Sequence, residues 1–151
     1  MSFDNSQNRE ISNVAALKVP PHSVDAEQAV LGGLMLDNTE WDNLADVLLP
    51  EDFYRPEHQI IFRVMSLQSE ANSPIDVVTL VESLNSLNEL EGAGGVEYLS
   101  ELTDNARGTA NIHAYAEIIR ERAILRRLIS VANGIANSGY NTAGKKAAAV
   151  F

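Results

Sequence analysis

One stretch of the sequence has residue types that could hold a phosphate. Residues 139–145 match the spacing G-x-x-x-x-G-K, in which backbone N–H groups and a lysine bind nucleotide phosphates. A phosphate loop also needs serine or threonine next, to hold magnesium, and a buried strand before it. Here Lys146 takes the hydroxyl position, and the preceding pattern is helical. We therefore interpret the stretch as a glycine-rich helix stop that binds no nucleotide.

The three histidines give no clear catalytic or metal site. His113 and Glu117 are four residues apart and can share a helix face, but the spacing supplies no third metal ligand. His22, which precedes the helix cap Ser23, is predicted to order the segment before the helix. His58, in the first turn of a helix, is predicted to lie at the surface. With no cysteine and no nucleophile–base arrangement, we predict no catalytic residue, no metal and no cofactor in this chain.

The basic residues form one cluster, in the middle of the longest helical pattern: Arg120, Arg122, Arg126 and Arg127. One interpretation is an exposed face on which Glu117 and Glu121 form intrahelical ion pairs. The other is a charged contact to an acidic partner or a neighbouring subunit. The chain carries 21 acidic and 11 basic side chains, a net charge of −10. Binding to the phosphate backbone of a nucleic acid needs clustered lysine and arginine side chains. The excess of acidic over basic side chains therefore argues against tight nucleic-acid binding.

The elements that position these residues are predicted to be helices. Hydrophobic residues make up 45% of the 151 residues and aromatic residues only 6%, and no stretch alternates as a strand does. No apolar run approaches the length of a membrane span, and the polar N-terminus lacks the build of a signal peptide. We expect a cytoplasmic protein without membrane contact.

The patterns divide the chain into a disordered tail (1–16), a globular helical domain (17–110), a long helix (111–138) and an irregular tail (139–151). Ser23, segment 73–76 and Asn111 are predicted helix starts. Glycine inside a helix costs about 1 kcal/mol relative to alanine, so the pair Gly32 and Gly33 predicts a close helix crossing. The predicted core comprises Val30, Leu31, Leu34, Ile60, Ile61, Val64, Leu80, Leu84, Leu99 and Leu102.

The long helix has two apolar faces. At about 100° per residue, the first face comprises Ile112, Tyr115, Ala116, Ile118 and Ile119. The second lies roughly 140° away and comprises Ile124, Leu125, Leu128, Ile129, Val131, Ala132 and Ile135. The change falls at residues 120–122. The first half should close the globular domain, whereas the second half needs another partner. We predict either that the second face, with Arg122 and Arg126, is an intersubunit surface or that the helix frays beyond about Arg122.

Short motifs follow one another in a distinctive order between residues 17 and 140. They are V-P-P-H-S at 19–23, A-E-Q-A-V-L-G-G-L-M at 26–35, D-F-Y at 52–54, P-I-D at 74–76, G-G at 94–95 and I-I-R-E-R at 118–122. In this combination they resemble the amino-terminal domain of the bacterial replicative DNA helicases of the DnaB family.

The resemblance implies a fold and a role. Family members are ring-shaped hexamers that unwind DNA with ATP. Their amino-terminal domain is helical and non-catalytic, pairs into a collar, docks primase and is followed by a helical hairpin and the ATPase domain. We therefore expect an all-α fold: a compact bundle of about five short helices plus one long helix that is the first arm of a truncated hairpin. ATP and magnesium are expected only in the ATPase domain, which is missing from this sequence.

The expected partners are a second copy of the chain (a dimer or higher oligomer), other subunits of the helicase ring, and primase. Two alternatives remain open. One is a free-standing interaction protein that mimics or blocks the collar, and the other is a small DNA-binding helical domain.

Overall fold

A computed structural model describes residues 18–106 and 111–141, and the secondary structure in these ranges is helical throughout. The α-helices are α1 (Val24–Leu36), α2 (Trp41–Ala45), α3 (Pro56–Glu70), α4 (Val77–Ser86), α5 (Gly95–Asn105) and α6 (Ile112–Tyr140). Two short 3-10 helices, Asn38–Glu40 and Pro50–Asp52, connect α1 to α2 and α2 to α3. The predicted all-α fold, with five short helices and one long one, is confirmed.

Side-chain caps set several of the helix starts. The Ser23 hydroxyl accepts a hydrogen bond from the Ala26 amide at 3.2 Å. At α4, Asp76 accepts from the Thr79 amide at 2.8 Å, and the Asp76 amide donates to the Thr79 hydroxyl at 3.0 Å. These caps satisfy amides that have no partner within the helix. Asn111 occupies the N-cap position of α6 as predicted, but its side chain forms no capping hydrogen bond.

Helices α1 and α5 approach each other closely at Gly32. A Cβ at this position would lie 2.2 Å from the Leu102 carbonyl oxygen and 2.7 Å from the Ala106 Cβ. No other residue type fits without moving the backbone of α5. The close crossing predicted from the sequence is therefore confirmed.

The core lies between α1, α3, α5 and the first half of α6. All predicted core residues are buried except Ile60, which is partly buried and packs against the core. The sequence-based core omitted an aromatic cluster in which Phe62 contacts two other rings. Its ring centroid lies 5.0 Å from that of Phe53 and 5.1 Å from that of Trp41. This cluster holds the 3-10 helix Pro50–Asp52 and α2 against α3.

Helix α6 begins inside the core and ends outside it. Ile112, Ala116, Ile119 and Ala123 are buried, whereas every residue from 130 to 140 is exposed. The helix continues two residues beyond the predicted end at 138. The predicted disorder at 1–16 and most of the predicted irregular tail lie outside the described residues.

Candidate functional site

The second half of α6 presents a row of exposed apolar side chains. We call residues 124–140 the arm and the rest of the described chain the body. Each large side chain of the predicted second face is 42–63% exposed: Ile124, Leu125, Leu128, Ile129, Val131 and Ile135. Ala132 is exposed as well. Single exposed apolar residues are ordinary on a protein surface, but a continuous row is typical of an interaction surface.

Arg126 joins the arm to the body. Its Nη1 donates to the Pro21 carbonyl at 2.7 Å, and its Nη2 donates to the Asp52 carbonyl at 2.6 Å. The guanidinium carbon lies 5.5 Å from the centroid of the Tyr54 ring. Arg126 was predicted as an intersubunit contact, yet both of these hydrogen bonds lie within its own chain. Arg122, also predicted at the interface, is half-buried one turn earlier.

The neighbouring arginines also contact the body. Arg120 donates to the Val47 carbonyl at 3.3 Å, and Arg127 lies 3.9 Å from the Asp52 carboxylate. Among the described contacts of these two arginines and Arg126, none is to Glu117 or Glu121. The interpretation of intrahelical ion pairs is therefore wrong for these three, because carbonyl and carboxylate oxygens of the body lie within reach of the guanidinium groups.

A buried polar network lies at the centre of the body. His58, fully buried, has Nδ1 at 2.7 Å from Glu27 and Nε2 at 2.5 Å from the Tyr98 hydroxyl. Glu27 also accepts from the amides of Tyr54 at 2.8 Å and Arg55 at 3.3 Å. The predicted surface position of His58 is wrong because α1 and α5 cover the first turn of α3. Glu27, in the first turn of α1, is buried too.

The contacts of His58 define the order of groups in this network. A carboxylate can only accept, so Nδ1 of His58 donates to Glu27, while Nε2 contacts the Tyr98 hydroxyl. Carboxylate, imidazole and hydroxyl stand in the order of a catalytic relay. The terminal hydroxyl, that of Tyr98, is partly buried and also accepts from the Gln28 side-chain amide at 3.2 Å. The network joins α1, α3 and α5.

The other two histidines hold local structure. His22 lies 2.7 Å from the Pro20 carbonyl and stacks on Tyr54 at 4.1 Å between ring centroids, which confirms its predicted role before α1. His113 pairs with Glu40 at 3.2 Å and links α6 to the 3-10 helix Asn38–Glu40. Within residues 18–106 and 111–141, no group of three metal-ligating side chains converges.

The structure also bears on two other sequence predictions. The phosphate-loop spacing at 139–145 is preceded by helix α6, whereas Gly144 and Lys145 lie outside the described residues. Among the described helices, none is both long and apolar enough to cross a membrane.

The chain belongs to the family of DnaB-like helicase N-terminal domains, whose profile matches residues 19–121. The replicative DNA helicase DnaB of Haemophilus influenzae is 47% identical over 131 residues, which are 87% of this chain and 28% of that protein. The replicative DNA helicase DnaB of Buchnera aphidicola subsp. Acyrthosiphon pisum is 50% identical over 136 residues, or 90% and 30% of the two chains. The chain thus spans under a third of the length of these relatives.

Solved structures agree with this assignment. The crystal structure of the N-terminal domain of DnaB helicase from Mycobacterium tuberculosis superposes with a TM-score of 0.80 at 34% identity, covering 87% of this chain and 92% of that chain. A DnaB-like replicative helicase, solved with its interactions with primase, gives a TM-score of 0.67 at 26% identity, covering 77% and 28%. The predicted family is confirmed, and the region of these relatives that the chain matches is their N-terminal domain.

Proposed function

We propose that this chain serves as a collar domain of a replicative helicase ring and that the arm is its self-association surface. The observation that carries the proposal is the row of half-exposed apolar side chains along residues 124–135. A second arm packed against this row would remove those side chains from water without disturbing the body. Pairing of identical surfaces is also the commonest form of homo-oligomer contact.

The size of the arm face limits how strongly it can associate. Packing two arms together buries the exposed part of six half-exposed aliphatic side chains from each copy, which contributes at most roughly 9–18 kcal/mol. Losing translational and rotational freedom on association costs about 4–15 kcal/mol. The two terms are comparable, so the isolated chain should associate reversibly and in a concentration-dependent way. A permanent ring needs further contacts from the rest of the protein.

Primase docking is the second part of the proposal. It is supported by the structural relative that was solved with its interactions with primase. The whole protein would unwind DNA with ATP and magnesium bound in a separate ATPase domain, in the cytoplasm where the chromosome is copied. This chain would contribute assembly and docking and no turnover. ATP hydrolysis that is abolished by Lys145→Ala would contradict this.

Direct binding of DNA by the body is disfavoured by charge. The basic side chains of the body are Lys18, Arg55, Arg63, Arg120 and Arg122, and Arg120 donates to the Val47 carbonyl at 3.3 Å. Two of them pair with acidic neighbours: Arg55 with Glu57 at 3.5 Å, and Arg63 with Glu89. A surface that neutralises phosphates needs several unpaired cations side by side.

A free-standing protein that blocks the collar would use the same arm face. The difference lies in the partner, because such a protein would bind the helicase collar in preference to its own copies. Sedimentation of the chain alone and mixed with intact helicase distinguishes the two. Self-association of the chain alone supports the collar assignment.

Sedimentation velocity with two charge insertions tests the arm face. Leu128→Asp places a carboxylate in the middle of the face, where the native side chain is 63% exposed. Val78→Asp, at a 73% exposed site on α4, is the matched control. We expect the wild type and Val78→Asp to associate as concentration rises and Leu128→Asp to stay monomeric. A monomeric wild type, or equal association of all three, would contradict the proposal.

A further inference from the structure

The arm continues a helix that is nucleated in the core, so its helicity depends on the propensity of its own residues and on its contacts with the body. The arm contains Gly134 and Gly139, and a Cβ at either position would meet no neighbouring atom. These glycines therefore weaken the helix without serving a close contact. Contacts with the body must therefore support the helical conformation of the arm until a partner binds.

The described side-chain hydrogen bonds between arm and body come from Arg126, and the other polar contact is the 3.9 Å ion pair of Arg127 with Asp52. The Arg126 guanidinium donates to the carbonyls of Pro21 and Asp52, at 2.7 Å and 2.6 Å. These acceptors are 105 and 74 residues away along the chain. The planar fork of arginine can bond two carbonyls at once, whereas lysine offers a single charged nitrogen. Arg126 thus ties one turn of the arm to two separate segments of the body.

The surface that the Arg126 guanidinium contacts is itself ordered by stacked rings. Tyr54, over which the guanidinium lies, stacks against His22 on the segment 18–22 that precedes α1. His22 is in turn fixed by its contact with the Pro20 carbonyl. Tyr54 also donates its backbone amide to buried Glu27 at 2.8 Å. The surface formed by Tyr54 and His22 is therefore anchored to the core, and it holds the Pro21 carbonyl in place.

We propose that Arg126 is a latch, a side chain whose hydrogen bonds to the body keep the arm helical in the unassembled chain. The apolar face is then already formed when the partner binds. Arg126 is a positioning residue: it acts on association through the order of the arm and not by touching the partner. Its effect on assembly rests on the proposed function, whereas its effect on the helix does not.

Amide hydrogen exchange on the full chain, diluted until sedimentation shows a monomer, tests the latch. Arg126→Ala should speed exchange at residues 128–140 by roughly tenfold, as expected when two charge-assisted hydrogen bonds are lost. Arg127→Ala, one residue along, is the matched control: its side chain is 66% exposed and its ion pair with Asp52 spans 3.9 Å, so this variant should speed exchange in the arm far less than Arg126→Ala does. Exchange in α1 and α3 should be unchanged in both variants. Wild-type arm protection in Arg126→Ala, or equal loss throughout the body, would overturn the latch.

Arg126→Lys separates geometry from charge. It keeps the positive charge but cannot span both carbonyls, so the arm should exchange nearly as fast as in Arg126→Ala. Wild-type protection in Arg126→Lys would show that charge alone suffices and would overturn the two-carbonyl latch. Self-association is then measured separately. If the wild type fails to associate, the collar proposal fails, while the exchange comparison still decides the latch.

Discussion

At the scale of single residues, Glu27 is the polar side chain on which most of the buried network depends. It accepts from two backbone amides and from the His58 ring. A buried carboxylate is tolerated when its oxygens are fully hydrogen-bonded, and removing one partner leaves the others buried without an acceptor. The network is therefore a strong constraint on how α1, α3 and α5 meet.

Glu27→Ala is expected to destabilise the fold by about 3 kcal/mol or more, because it orphans the Tyr54 and Arg55 amides and the His58 ring. Urea denaturation followed by circular dichroism measures the change. Asp25→Ala, an exposed acidic residue in the same first turn, is the control and should cost under about 1 kcal/mol. Equal losses in the two variants would show that Glu27 acts only as a charge near the helix end.

Some of this network could be predicted from the sequence, and some could not. Glu27 lies three and four residues before Val30 and Leu31, so it shares the face that the sequence analysis assigned to the core. A polar residue on an apolar stripe signals a buried partner. The identity of that partner could not be read, because His58 is 31 residues away and spacing says nothing about such distant contacts. The same holds for Arg126, whose acceptors are backbone carbonyls.

At the scale of elements, glycines illustrate two opposite environments. Gly32 lies where α1 meets α5, and Gly134 lies on the open arm. Helix propensity assigns both glycines the same free-energy cost relative to alanine. Their tertiary surroundings therefore decide whether a substitution stabilises or destabilises the protein. The crossing at Gly32 was predictable because few other reasons place a glycine in a core helix.

Gly32→Ala should destabilise the body by about 1–3 kcal/mol, since its methyl group would collide with the Leu102 carbonyl and force the helices apart. Thermal unfolding of the two proteins measures this. An unchanged melting temperature would mean that α5 is free to move and that the crossing is not tight.

Gly134→Ala should have the opposite sign. Its new methyl group meets nothing, and alanine favours the helix by about 1 kcal/mol over glycine. We expect slower amide exchange along residues 130–140 and slightly more helical signal, with no change in the melting of the body. Faster exchange in this variant would contradict an arm that is helical before assembly.

At the scale of the whole molecule, α6 divides the chain into a body that completes its own core and an arm that does not. The change of face at residues 120–122 was visible in the periodicity alone, and it coincides with the point where burial ends after Ala123. What periodicity could not show is that arginines on the same helix bind the body. The first face packs against the body, and the second is the face for which we propose a second copy of the chain as partner.

An apolar association surface has a characteristic response to salt. Sulfate strengthens the burial of apolar area, whereas salt weakens contacts between exposed charges. We expect sodium sulfate to tighten self-association in sedimentation equilibrium. Weakening by moderate sodium chloride would instead favour the alternative in which the arginine cluster contacts an acidic partner.

The most direct test of the collar assignment is the mass of the chain in solution, measured by light scattering with and without a primase fragment from the same organism. We predict a mass that rises from one copy toward two or more with concentration, and a further increase when the primase fragment is added. Leu128→Asp should abolish the first increase. A single-copy mass at every concentration, unchanged by the primase fragment, would contradict the account.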